Sequence, residues 1–408
     1  MTILLIVIGS LCLVLGLYVL ISNVFLKTSK ETNWQLDDAH LSAKLTEISK
    51  QYHQPAMACA LVSGNEIVAK AAVGTIAMGE ETSVDGHSRF HIGSTTKTMT
   101  ALLIALLVRE GKLRYDMTLS EMLPDVKMLA EYQDVTLHDL LLHKAGIIAF
   151  QLLQNEPPEV SQTLWTDIPA RISDPQMQRL EVAKYVLNLK PIAEPGTKAI
   201  YSNVGYALIG LIAETAAGKP YETLISEKIF NPLGMVDARF GKWPASISEP
   251  NQPRGHYANS RKEPIPQELE DAYVFPDWMN PSGGVHCTIN DLALYVQENL
   301  LGLQGTGKLM EKSNYENIHI IHHTAVIKEM YPGLFQEGEL TLGYGWAVIP
   351  DGDKAFISMA DGSGGTFYAT LVVYPALNIA FAGFTNCGGG NLALSEAIEQ
   401  MTGFKLGN

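Results

Sequence analysis

The chain has 408 residues, 47% of them hydrophobic and 18% charged, enough to bury a sizeable core in two domains or in one with an inserted subdomain. Its net charge of −14, from 43 acidic and 29 basic residues, excludes the basic surface that nucleic-acid binding requires. The four cysteines, Cys12, Cys59, Cys287 and Cys387, form no C-x-x-C pair, so no zinc or thioredoxin-like motif is readable and buried thiols are expected.

The first predicted element is residues 3–26, a run without a charge. At about 1.5 Å per residue such a helix spans a bilayer core. No Lys or Arg precedes it, and Ser22-Asn23-Val24-Phe25-Leu26 is a poor cleavage site. The segment (1–26) is therefore read as a transmembrane anchor, with a cleaved signal peptide as the competing reading. Lys27 and Lys30 taken literally would place the body in the cytoplasm, a signal diluted by Glu31, Asp37 and Asp38. Residues 27–38 read as a polar linker, and the body occupies 39–408.

Residues 41–52 carry a helical pattern, and 56–62 and 67–74, joined by Ser63-Gly64-Asn65-Glu66, read as a β-hairpin. From 116 to about 289 the chain is mostly helical patches and Pro-containing loops. Strand patterns return at 342–349, 355–359, 366–374 and 379–385, and 392–401 closes with a helix. The expected fold class is α+β: an antiparallel sheet from both chain ends, flanked by helices, with a mostly helical inserted subdomain.

Ser94-Thr95-Thr96-Lys97 is the only S-x-x-K in the chain, and the uncharged run 98–108 follows it. Ser and Lys three apart on a helix share one face, and a basic neighbour can activate a hydroxyl as a nucleophile. The competing reading is a helix N-cap serine with a solvated lysine. Tyr201-Ser202-Asn203 follows the turn Glu194-Pro195-Gly196 and precedes a predicted helix at 206–217. A Tyr hydroxyl there could relay protons, and an Asn amide could orient the lysine or a substrate. Asp361-Gly362-Ser363-Gly364-Gly365 lies between two strand patterns, where glycines admit a substrate to the backbone and an N–H can serve as an oxyanion donor. A plain hairpin turn would look the same.

Other chemistries find no support. There is no G-x-S-x-G and no H-E-x-x-H. The run 302–309 misses a P-loop at Leu309 and is read as a surface turn, and His322-His323 is read as a solvated loop.

Taken together these segments resemble the serine β-lactamase-related, penicillin-recognising hydrolases, in particular the branch of class C β-lactamases, D-alanyl-D-alanine carboxypeptidases and esterases. The likeness runs from about residue 40 to 400. It includes Leu140-Leu141-Leu142-His143-Lys144-Ala145-Gly146-Ile147, the Glu194 to Gly205 element, Asn231-Pro232-Leu233-Gly234-Met235 and Pro281-Ser282-Gly283-Gly284. The resemblance implies a β-lactamase/DD-peptidase-like fold and a Ser94 acyl-enzyme. Lys97 would be the base and Tyr201 the proton relay. Asn203, Asp361 and Gly362 would orient the substrate, and the backbone N–H groups of Ser94 and Ser363 would form the oxyanion hole. It implies no metal and no cofactor, a small ester, amide or peptide substrate, and an extracytoplasmic, periplasmic domain on a membrane anchor. Two departures stand out. Ala360-Asp361-Gly362 lacks the Lys or His that begins the family's third motif and helps bind a substrate carboxylate. Lys144-Ala145 replaces Thr-Ser in the L-L-x-H-T-S-G-L element. An ester is therefore expected over a β-lactam or a peptide C-terminus. The alternatives are a D-alanyl peptidase or β-lactamase, and a non-catalytic binding or scaffold protein that keeps the fold.

Overall fold

The computed structural model describes residues 36–151, 156–241, 249, 251–258, 263–268, 275–331, 337–352 and 355–403. The expected anchor, nearly all of the expected linker, and Cys12 lie outside the described residues. Among those described, no helix is long and apolar enough to cross a membrane.

The hairpin forms as its two apolar runs and the turn between them predict, with β1 (Ala56–Ser63) and β2 (Glu66–Gly74) paired antiparallel. Two short strands follow, β3 (Phe90–His91) and β4 (Arg239–Phe240). Then come the hairpin β5 (His256–Ala258) and β6 (Pro264–Pro266), and the strand β7 (Val285–Cys287). The carboxyl-terminal strands are β8 (His323–Val326), β9 (Glu339–Leu342), β10 (Ala347–Asp351), β11 (Ala355–Ser363), β12 (Tyr368–Tyr374) and β13 (Ile379–Thr385).

The main sheet has eight strands in the order β2-β1-β13-β12-β11-β10-β9-β8, antiparallel throughout. It joins the two chain ends as expected, with six late strands in place of the expected four. The expected strand 342–349 is two strands: Gly343 N–H donates to the Trp346 carbonyl at 2.9 Å and reverses the chain between β9 and β10. Gly345 in that turn has φ +77°, and a Cβ on it would lie 2.8 Å from the Lys97 carbonyl. The turn is therefore pressed onto the helix that carries Lys97. A second sheet, β3-β7-β4, had no legible signal because its strands are two or three residues long.

β12 and β13 are buried along their whole lengths, and the helix Ile289–Gln304 packs on them and on β1. The helix Thr96–Arg109 is buried from Thr96 to Leu107, as its uncharged sequence predicts. Its one charge in that stretch, Lys97, is buried with it. The helix Asn203–Ala217 begins three residues earlier than the pattern suggested, because Ser202 caps it: the Gly205 N–H donates to Ser202 Oγ at 2.9 Å. Cys59, Cys287 and Cys387 are buried free thiols. The run 302–309 is not a plain surface turn: its first residues close the helix Ile289–Gln304, and Gly302 is packed on Tyr315. His322 is not solvated either; its ring stacks on Tyr344 at 4.1 Å.

Candidate active site

Ser94 sits in a single 3-10 turn, Gly93–Thr95, at the entrance to the helix Thr96–Arg109. The turn is wedged against β11. A Cβ on Gly93 (φ +51°) would lie 2.6 Å from the Ser363 nitrogen, and one on Gly362 would lie 2.0 Å from the Ile92 carbonyl and 2.7 Å from the Ser94 nitrogen. Glycine at both positions is what lets the two segments touch. The backbone around Ser94 thus lies against that of Gly362 and Ser363. Gly362 is buried in this contact.

Lys97, one turn on, points back at Ser94, with Nζ 3.2 Å from Ser94 Oγ. Nζ also lies 2.8 Å from Asn203 Oδ1 and 2.6 Å from the Ser282 carbonyl. Burial drives its pKa well below the ordinary lysine value. A neutral amine has two N–H donors and one lone pair. Asn203 Oδ1 and the Ser282 carbonyl can only accept, so they take the two donors and leave the lone pair facing Ser94. The amide of Asn203 is itself oriented, since Nδ2 donates to the Phe150 carbonyl at 2.8 Å.

The Tyr201 hydroxyl donates to Ser94 Oγ at 2.7 Å. Burial raises its pKa above the ordinary tyrosine value, so the group keeps its proton. Several contacts hold the backbone at Tyr201. Its N–H donates to the Met330 carbonyl at 3.0 Å, and its carbonyl accepts from Gln151 Nε2 at 2.6 Å. Its ring stacks on Tyr331 at 5.2 Å and lies 4.6 Å from the His143 ring. His143 accepts from the Ser202 N–H at 3.1 Å. Burial, with Lys97 nearby, pushes its pKa down to about 3, so it stays neutral. Sequence reasoning quoted His143 and Ser282 but gave them no role. Gln151 and the Phe150 carbonyl had no signal at all, because a backbone acceptor has no residue-type signature.

These groups floor an open cleft of about 1140 Å³. Among the described residues that line it, Lys97 is the only lysine or arginine. Arg254 is paired with Glu80 at 2.6 Å and, like Lys144, does not line the cleft. Asp361, on β11 and not in a turn, does line it. Its Oδ1 accepts from Thr370, while Oδ2 is buried with no hydrogen bond among the described residues. Burial pushes its carboxyl up to about 6 against the lowering pull of the Thr370 and Tyr368 hydroxyls. No group of three or more metal-ligating side chains occurs among the described residues.

A family model described as beta-lactamase matches residues 41–401 of this chain. The chain belongs to the beta-lactamase family. It is 24% identical over 375 residues to penicillin-binding protein 4 of Amycolatopsis lactamdurans, covering 90% of each chain. It is 26% identical to the D-alanyl-D-alanine-carboxypeptidase/endopeptidase AmpH of Escherichia coli K12, covering 79% of this chain and 77% of that one. Its fold matches the octameric penicillin-binding protein homologue from Pyrococcus abyssi with a TM-score of 0.69 at 22% identity, over 90% of this chain and 78% of the other. Membership in the beta-lactamase family, with relatives named as hydrolases and carboxypeptidases, makes the chain a serine hydrolase.

Proposed function

We propose that this hydrolase cleaves uncharged esters through a Ser94 acyl-enzyme. The observation that carries the reading is Lys97. Its two fixed acceptors leave its lone pair aimed at a serine hydroxyl that Tyr201 already holds by a hydrogen bond. Ser94 Oγ attacks the ester carbonyl carbon and its proton passes to Lys97. The backbone N–H groups of Ser94 and Ser363 receive the oxyanion. The C–O bond to the alcohol then breaks, and Tyr201, kept protonated, supplies the proton to the leaving oxygen while Lys97 restores it. Water enters, gives its proton to the same base, and releases the acid with Ser94 regenerated.

Ester over carboxylate-bearing substrate follows from charge. Ala360 leaves the cleft without a cation at the head of the third motif, the donors of Lys97 are occupied, and Asp361 adds negative charge. Among the described residues that line the cleft, a peptide C-terminus or a β-lactam carboxylate finds no counter-ion there. The names of the relatives favour a second reading, a D-alanyl carboxypeptidase. Labelling with a fluorophosphonate and with a fluorescent penicillin, followed by mass spectrometry, tests both. We expect fluorophosphonate on Ser94 and p-nitrophenyl acetate turnover well above that of penicillin or D-alanyl peptides. Faster turnover of the latter rejects the ester reading, and a label on another serine rejects the nucleophile.

Attachment to a membrane through residues 3–26 is likewise proposed, on the uncharged run alone, and a body outside the cytoplasm on the family resemblance. Full-length protein in the soluble fraction after lysis would reject it.

A further inference from the structure

Beyond the reacting groups the cleft turns apolar, and on one side in particular. Met330 and Tyr331 directly abut Tyr201: its N–H is held by the Met330 carbonyl and its ring stacks on Tyr331. Leu340 and Leu342 of β9, Ala347 of β10 and Ala360 of β11 continue the lining. Ala347 lies opposite Leu342 in one register and opposite Met359 in the other, so three neighbouring strands present one apolar surface. β10 pairs with β11 only as far as Met359, while β12 pairs with β11 through Ser363. Among the described residues the outer edge of residues 360–363 therefore has no strand neighbour, and Ala360, Asp361 and Ser363 line the cleft. A substrate can lie along this edge with its carbonyl at Ser94.

The proton donor decides which half of the ester meets the apolar surface. In the reaction proposed above, Tyr201 gives its proton to the leaving oxygen, so the alcohol half departs on the Tyr201 side. The groups that abut Tyr201 are the apolar ones. We propose that the surface formed by Met330, Tyr331, Leu340, Leu342, Ala347 and Met359 is a leaving-group subsite for an apolar alkyl alcohol. The inference rests on the Ser94 acyl-enzyme reading and deepens it by naming the substrate class: uncharged esters whose alcohol half is a hydrocarbon chain. Asp361 beside the subsite is a further bar to an anionic leaving group.

The test is a pair of series on the full-length protein. In the first, the acid is fixed as acetate and the alcohol grows from ethyl to butyl, hexyl and octyl, with acid release followed by pH-stat. Every member forms the same acetyl-enzyme, so differences in kcat/KM report on the leaving group alone. In the second, the p-nitrophenyl alcohol is fixed and the acyl chain grows from acetyl to octanoyl. The subsite predicts that kcat/KM in the alcohol series rises about 4-fold per methylene, the effect of burying one such group, until the surface is filled. The acyl series should rise less. Ala347→Phe should lower kcat/KM for octyl acetate relative to ethyl acetate by about 10-fold or more, since it occupies the space the chain needs. A flat alcohol series with measurable turnover, or a steeper acyl series, overturns the subsite and leaves the acyl-enzyme standing. Absence of Ser94-dependent turnover for every ester in both series overturns the acyl-enzyme reading itself, and the subsite with it. The wild-type slopes decide the matter even where Ala347→Phe does not fold.

Discussion

Two parts of the cleft treat buried polarity in opposite ways. Around Lys97 every polar group has a partner: Asn203 Oδ1 and the Ser282 carbonyl accept its two donors and its lone pair faces Ser94 Oγ, all within 3.2 Å. Around Asp361 one carboxyl oxygen accepts from Thr370, while the other is buried without a hydrogen bond among the described residues. A buried, unbonded polar atom costs free energy, whereas a satisfied one rigidifies its surroundings. The difference separates chemistry from recognition. The reacting amine is held by rigid acceptors, one of them the Ser282 backbone carbonyl, which no side-chain change removes. On the reading proposed above, the strand edge at 360–361, with Ala360 and Asp361, offers a carboxylate no cation.

The comparison breaks most sharply at Ser94. Ser94→Ala should abolish covalent labelling by fluorophosphonate while shifting unfolding free energy by no more than about 1 kcal/mol, because only one hydroxyl is removed. Retained labelling would place the nucleophile elsewhere. Lys97→Met comes next, with a loss on the order of 10²–10⁴ in the acylation rate, the usual range for a general base. A pre-steady-state burst as fast as wild type would remove Lys97 from the chemistry. In the wild type the rate should rise with pH through a lysine pKa displaced well below its ordinary value. A profile that rises only above pH 10 would contradict the lone-pair geometry.

Ala360→His probes the other part. Restoring a cation should raise turnover of D-alanyl peptides relative to p-nitrophenyl acetate by roughly 10- to 150-fold, the equivalent of about 1.5–3 kcal/mol for one charge-assisted hydrogen bond. An unchanged ratio would mean that the missing cation is not what limits carboxylate substrates.

The smallest effect is on stability. Burial lifts the Asp361 carboxyl from 3.8 to about 6, so between these pH values the folded chain keeps a proton that the unfolded chain has released. Stability contributed by that proton is lost as pH rises across this window. Asp361→Asn should therefore be more stable than wild type at pH 8, by on the order of 1–3 kcal/mol, with the difference vanishing near pH 3. Urea denaturation at the two pH values measures it, and an equal difference at both would show that charge burial is not the cause.

Local patterns made much of this molecule legible. The hairpin, the uncharged helix behind Ser94 and the strands 355–359, 366–374 and 379–385 follow from apolar runs bounded by turn residues, because each is buried against the core. The motifs around Ser94, Tyr201 and Asn203 could be named one by one, since their residue types carry the chemistry. Tertiary structure alone decided that they meet. It put Asn203 and Ser282 on the same nitrogen from positions 106 and 185 residues away, and both work by accepting from Lys97. It also set Gly93 against Gly362, ended β10 before Ala360 and left Asp361 half satisfied. None of these leaves a mark in local sequence: a backbone carbonyl looks the same at every residue, and a strand edge is open only because a neighbour stops short.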